Sequence, residues 1–320
     1  MGESDPMRTL VREIILAAGM ITILVLAMWA HTGSMPPLVV VESNSMQHDE
    51  NGELGTIDAG DLVLVHAPDN DRIITFVEAS NPESSDYGYE SLGMEGDVII
   101  YERNGESEST PIIHRALFKV EIGETTPLDD QGNCQENATL WDGQCIITWT
   151  VPGSDQVNVG KINLLFDGNN TGEYSCNGVP GHASSKWYSV EDYKPPNPGY
   201  ITLGDNNNCD DDHDVSMFAS CLSIDKGVCR PVQEEWVIGI SGAEIPWVGI
   251  VKLMVSGGDS PGISQVPGAS ILYLILLIGA VLATPMLIEP LINKILRNSP
   301  EMIKAEQEDA IALIHSSEEE

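Results

Sequence analysis

The chain has 320 residues, 42% of them apolar, which allows one or two domains around a hydrophobic core. Its 49 Asp and Glu outweigh 15 Lys and Arg, giving a formal charge of −34. Such a surface repels polyanions and excludes nucleic-acid binding, which needs a basic footprint, while it stays well hydrated in the manner of salt-adapted proteins.

Residues 1–13 precede an apolar segment at 14–30, at the short end of the ~17–25 residues that cross a bilayer as helix. A second uncharged segment spans residues 269–288. Arg8 and Arg12 precede the first, and Lys294, Arg297 and Lys304 follow the second. Basic residues at span ends stay cytoplasmic, so residues 1–13 and the acidic tail 289–320 are predicted inside and residues 31–268 outside. A cleaved secretory signal also begins with a basic stretch and an apolar run. Met28-Trp29-Ala30 places large residues where such a cut needs small ones, which favours a retained anchor.

Residues 31–36 read as a linker, and Pro36-Pro37 extends the chain into the β-branched run Leu38-Val39-Val40-Val41, which delivers Ser43-Asn44-Ser45-Met46. An Asp58-Ala59-Gly60-Asp61 turn then leads to a buried strand at 62–65. Residues 78–95 are polar and predicted as loop. Residues 98–101 and 112–120 form a predicted strand pair that places His114 on a strand.

From 124 to 198 the composition shifts to Asn, Gly and Asp, and an inserted β-rich, Cys-containing subdomain is expected. Cys134, Cys145, Cys176, Cys209, Cys221 and Cys229 all fall in the outer segment, so up to three disulfides are expected, in a pairing the sequence leaves open. The lack of a CxxC pair disfavours zinc. Asn137-Ala138-Thr139 and Asn169-Asn170-Thr171 are glycosylation sequons.

Beyond the acidic run at 210–214, Trp236-Val237-Ile238-Gly239 and Val248-Gly249-Ile250-Val251 look strand-like with Pro246 between them. Residues 256–269 read as a linker into the second span. Two strings are set aside. Gly258-Asp259-Ser260-Pro261-Gly262 matches a nucleophile elbow without the strand and helix that motif needs. Asp167-Gly168-Asn169-Asn170-Thr171-Gly172 resembles a calcium loop but has Gly178 where the bidentate Glu belongs, and reads as a turn.

A serine hydroxyl becomes a nucleophile only beside a base that takes its proton and a group that orients that base. Ser45, His114 and the acids Asp205, Asp210 and Asp211 could fill those places. The blocks that carry them, in their order, resemble the type I signal peptidases of the archaeal and endoplasmic-reticulum branch, whose base is a histidine. The resemblance runs through Ser43-Asn44-Ser45-Met46, Gly55-Thr56-Ile57-Asp58-Ala59-Gly60-Asp61-Leu62-Val63, Gly96-Asp97-Val98-Ile99, Ile113-His114-Arg115, Gly204-Asp205-Asn206-Asn207 with Asp210-Asp211, Val237-Ile238-Gly239 and Ile245-Pro246-Trp247-Val248-Gly249. It departs from the family in the length of 124–198.

The resemblance implies a mainly β, signal-peptidase-like catalytic domain, split into 31–123 and 199–268 by the insertion and flanked by two transmembrane helices. It also implies a membrane-bound serine endopeptidase that removes signal peptides from exported precursors after small residues in an A-x-A-like pattern. Ser45 would be the nucleophile, His114 the base and Asp211 the triad acid, with Asp205 supporting the turn and the histidine. The Ser45 N–H and the Ser43 hydroxyl would hold the oxyanion, although a strand-end Ser43 that bonds locally fits equally. No cofactor or metal is implied; the expected partners are precursor proteins and the bilayer. Two alternatives stay open: a non-catalytic surface protein on the same scaffold, whose insertion binds a partner, and a surface-processing protease with a specialised substrate.

Overall fold

The computed structural model describes residues 6–68, 72–168, 171–174, 188–206, 224–225, 228–256 and 262–297. The protein is mainly β, with a long apolar helix near each end. Contacts divide it into Met1–Ser270 and Ile271–Glu320.

Helix α1 (Pro6–Thr32) contains an apolar stretch, Met7–Thr32, long enough to cross a membrane. It outruns the predicted 14–30 at both ends because backbone hydrogen bonds propagate until something stops them. The stop is Gly33, at φ 69°, whose N–H closes on Trp29 O at 2.8 Å in the left-handed conformation that glycine adopts without strain.

Seven strands make one antiparallel sheet: β1 (Leu38–Val40), β2 (Leu62–His66), β5 (Val98–Tyr101), β6 (Ile112–Ile122), β10 (Trp149–Thr150), β13 (Gly199–Leu203) and β16 (Val237–Ile245). Their order is β1-β2-β16-β5-β6-β10, with β13 also on β6. The predicted pair β5–β6 forms with Ile99 opposite His114. Farther along, β13 sets Leu203 opposite Arg115, so residues 204–206 leave the sheet beside the His114-Arg115 pair.

Residues 78–95 are not simply loop. Helix α2 (Phe76–Ser80) and the hairpin β3 (Glu90–Ser91) with β4 (Met94–Glu95) lie here. The sequence signal for α2 was Thr75-x-x-Glu78, a capping box: Thr75 Oγ1 accepts from Glu78 N at 3.3 Å and Glu78 Oε2 accepts from Thr75 N at 3.1 Å. Both groups are buried. Thr75→Ala is expected to lower the unfolding free energy by about 1 kcal/mol, read as a denaturation shift. No shift would mean that the cap contributes nothing.

Residues 124–198, expected as an inserted β-rich, Cys-containing subdomain, are rich in short strands among the described residues. Strand β7 (Thr125–Thr126), β8 (Thr139–Trp141) and β9 (Gln144–Ile146) make a small sheet in the order β7-β9-β8, and β11 (Ile162–Leu165) pairs β12 (Ser189–Tyr193). Strand β10, however, joins β6. Trp149, Ile162, Phe166, Tyr188 and Val190 are buried in one cluster with Phe76, Leu117, Phe118 and Leu203. The insertion therefore completes the core of the main sheet.

A disulfide joins Cys134 to Cys145. Cys176, Cys209 and Cys221 lie outside the described residues. Cys229 lies in β15 (Val228–Cys229), which pairs β14 (Ile224–Asp225).

Val248–Val251, expected as strand, instead leads into helix α3 (Ile250–Val255), which buries Ile250 and Leu253. Pro246 and Trp247, at φ 66°, end β16 and turn the chain. Helix α4 (Gly268–Arg297) contains the second apolar stretch, Gly268–Pro290, and continues past the predicted end at 288 with Pro285 and Pro290 inside it.

Candidate functional site

Three Gly-Asp pairs bolt the sheet to its loops. At Gly60 (φ 100°) a Cβ would lie 2.5 Å from Ile250 Cγ1, and at Gly96 (φ 79°) 2.5 Å from Phe76 N, so only glycine permits these approaches. The aspartate that follows each is buried and accepts hydrogen bonds. Asp61 takes Asp58 N at 2.9 Å and Trp247 N at 2.8 Å; Asp97 takes Ile74 N at 2.7 Å and the Tyr89 hydroxyl at 2.8 Å.

The third pair, Gly204-Asp205, builds the site. Asp205 accepts Arg115 Nε at 3.0 and 3.1 Å, Arg115 Nη2 at 2.6 Å and His48 Nε2 at 2.9 Å. A carboxylate has no proton to give, so the imidazole nitrogen facing it carries the hydrogen. Arg115 is itself fully buried, and its Nη1 donates to Gly96 O at 2.7 Å and Ser91 O at 2.9 Å, which wraps the β3–β4 hairpin around it. Burial pushes the Asp205 carboxyl up, but Arg115 and His48 outweigh it and hold the group below the usual carboxylate range.

Among the described residues the histidine that Asp205 hydrogen-bonds is His48, three residues past Ser45, and not His114, which the resemblance implied. Sequence reading missed His48. The signal was its place in the turn directly after the nucleophile block, a meaning that only the fold supplies.

The next residue ties this network to the Ser45 turn. Asn206 N donates to Ser45 O at 2.8 Å, and Asn206 Nδ2 donates to Asn44 O at 2.7 Å. Gln265 Oε1 accepts Asn44 N at 3.0 Å from the far side. Met46 is buried with Val41, Val63 and Val98, and Ile113 packs on the same cluster. The segments 43–48, 113–115 and 204–206, far apart in the chain, therefore meet. Ser45 and Ser43 are half-buried, with their hydroxyl oxygens 3.2 Å apart. Among the described residues the Ser45 N–H makes no hydrogen bond, which leaves it open to an oxyanion.

His114 sits opposite Ile99 on the other face of β5–β6 from Arg115. It is buried, and among the described residues its Nδ1 has no hydrogen-bond partner. Burial lowers its pKa from 6.5 to about 4, against the pull of the nearby Asp205 charge, so the ring is neutral at neutral pH. Among the described residues no hydrogen bond joins His114 to Ser45. Asp210 and Asp211 lie outside the described residues.

Behind β1, the Asp61 turn carries a second set of carboxyls. Val41 N donates to Asp61 O and Gly60 N to Val41 O, both at 2.9 Å, while Gly55 N donates to Glu244 Oε1 at 2.6 Å. Burial, with the neighbouring carboxylates, raises Asp58 to about 6 and Glu244 to about 7. The Asp61 and Asp58 charges both lie close enough to Glu244 to favour its protonated form.

These groups make stability depend on pH in opposite senses. Between pH 6.5 and about 4 the folded protein binds less proton at His114 than the unfolded chain, so stability falls by about 3 kcal/mol on acidification through that window. Between pH 4.5 and about 7 the fold retains a proton on Glu244 that the unfolded chain releases, so stability falls as pH rises. Glu244 is only half-buried, and screening reduces its share to about 1 kcal/mol. Glu244→Gln should therefore raise the denaturation midpoint at pH 8 and leave it unchanged at pH 4. Equal shifts at both pH values would refute a proton retained on Glu244.

No family model matches the chain, and no match was found among curated proteins or solved structures.

Proposed function

We propose that the protein is a membrane-anchored serine endopeptidase of the signal-peptidase type, cutting exported precursors outside the membrane. The observation that carries this reading is the convergence of the Ser45 turn, the His114-Arg115 strand and the Asp205-Asn206 turn through hydrogen bonds accepted by Asp205 and donated by Asn206. These are three of the blocks on which the family resemblance rests. Two helices long and apolar enough to cross a membrane flank them.

In the proposed reaction Ser45 Oγ attacks the scissile carbonyl, and neutral His114 takes its proton and returns it to the leaving amine. The Ser45 N–H, with Ser43 Oγ beside the nucleophile, receives the oxyanion. Serine and imidazole close to bonding distance when the substrate is seated, since catalytic hydrogen bonds are commonly long in free enzymes. His114 Nδ1, which has no partner among the described residues, is the atom a triad carboxylate takes, and the family pattern assigns that place to Asp211. His48 is a positioning residue: one nitrogen is held by Asp205, and the other would lie 3.0 Å from a Cβ added at Gly93.

The test is cleavage of a signal-bearing precursor by the full-length protein in lipid vesicles, compared with Ser45→Ala. Cleavage after a small residue that is lost in the variant supports the reading. An inactive parent protein leaves the non-catalytic surface protein in its place, and a variant as active as the parent removes Ser45 as the nucleophile.

A further inference from the structure

The two sequons differ in a way that only the fold reveals. Asn137 is exposed, in a turn closed by Ala138 N on Gln135 O at 3.1 Å, with φ 75°. It lies two residues before β8 and three after Cys134, whose disulfide to Cys145 holds this part of the chain. Thr139, the hydroxyl residue of the sequon, is half-buried, and its contact to Pro195 O is a long 3.4 Å.

In the second sequon, Thr171 is only 4% exposed and its hydroxyl donates to Leu165 O at 2.5 Å. A transferase that must engage the hydroxyl residue and the asparagine together can reach the first site on the folded chain, but finds the second hydroxyl buried and committed. The disulfide adds an independent mark of compartment, because such bonds form and persist in oxidising surroundings outside the cytoplasm, where sugar transfer to asparagine takes place.

We propose that Asn137 is a modification site, carrying an N-linked oligosaccharide in preference to Asn169. In the transfer, Asn137 Nδ2 forms a bond to the anomeric carbon of a lipid-diphosphate-linked oligosaccharide. The bond from that carbon to the diphosphate oxygen breaks, the lipid diphosphate leaves, and the amide nitrogen gives up one proton. This inference needs residues 31–268 to face outward, and it stands independently of the proteolytic reading.

The test is fragmentation mass spectrometry of the peptides bearing Asn137 and Asn169, from full-length protein isolated from the membranes of its own cells. The expected result is a sugar mass on Asn137 in the wild type and in Asn169→Gln. That mass disappears in Asn137→Gln and Thr139→Ala and returns in Thr139→Ser. The wild-type spectrum needs no substitution, so it decides even where a variant fails to fold. A bare Asn137 in the wild type, or occupancy at Asn169 equal to or above that at Asn137, overturns the assignment.

Discussion

Under the proposed mechanism, Ser45→Ala is expected to slow precursor cleavage by about 10⁴- to 10⁶-fold while leaving the fold intact, since among the described residues the lost hydroxyl bonds only Ser43. His114→Ala should cost a comparable factor, and the double variant should lose little more, because nucleophile and base act as one unit. The pH profile separates His114 as base from a merely structural role. Its buried ring sits near 4, so the acidic limb of kcat/KM should fall well below the ordinary histidine value of 6.5. His48→Gln should reduce kcat less than His114→Ala does, because His48 acts through Asp205. A His114→Ala enzyme that cleaves at the parent rate would remove the imidazole from the mechanism.

Arg115→Ala is expected to destabilise the protein by about 3–5 kcal/mol, the usual cost of stranding one partner of a buried ion pair. Asp205 would lose the guanidinium that holds its charge, and the carbonyls of Ser91 and Gly96 would lose their donor. Arg115→Lys should fail almost as badly, because one ammonium cannot serve the carboxylate and the hairpin carbonyls in the same geometry. Arg115→Met combined with Asp205→Asn should recover part of the loss by removing both charges, but not all of it, because the hairpin carbonyls stay unpaired. Chemical denaturation of the three variants against the parent protein reads this directly. A loss under about 1 kcal/mol for Arg115→Ala would show that the pair does not hold the site together.

The sheet was partly legible because its strands carry local signals. Leu62-Val63-Leu64-Val65 and Val98-Ile99-Ile100-Tyr101 are β-branched or apolar runs bounded by Gly-Asp turns, and they appear where expected as β2 and β5. Helix α2 was also written in its capping box, but its five residues are too few for a periodic pattern to reveal. How the insertion packs was not legible: its composition is polar, while Trp149, Phe166 and Tyr188, scattered singly through it, are residues that fill the core beside β6. Val248-Gly249-Ile250-Val251 has strand composition, yet Trp247 at φ 66° redirects it into a helix.

By itself, the sequence determined the features that need only neighbours along the chain: apolar segments of membrane-crossing length, the acidic surface, the β-branched strands and the blocks bearing Ser45, His114 and Asp205. The tertiary structure decided which buried groups answer one another, because a charge removed from water must take whatever partner the fold brings within hydrogen-bond reach. Asp205 found Arg115 and His48, residues 90 and 157 positions away, and Glu244 found the Asp61 turn across the sheet. No local pattern encodes such pairings, since they follow from strand register and from where glycine lets two backbones approach.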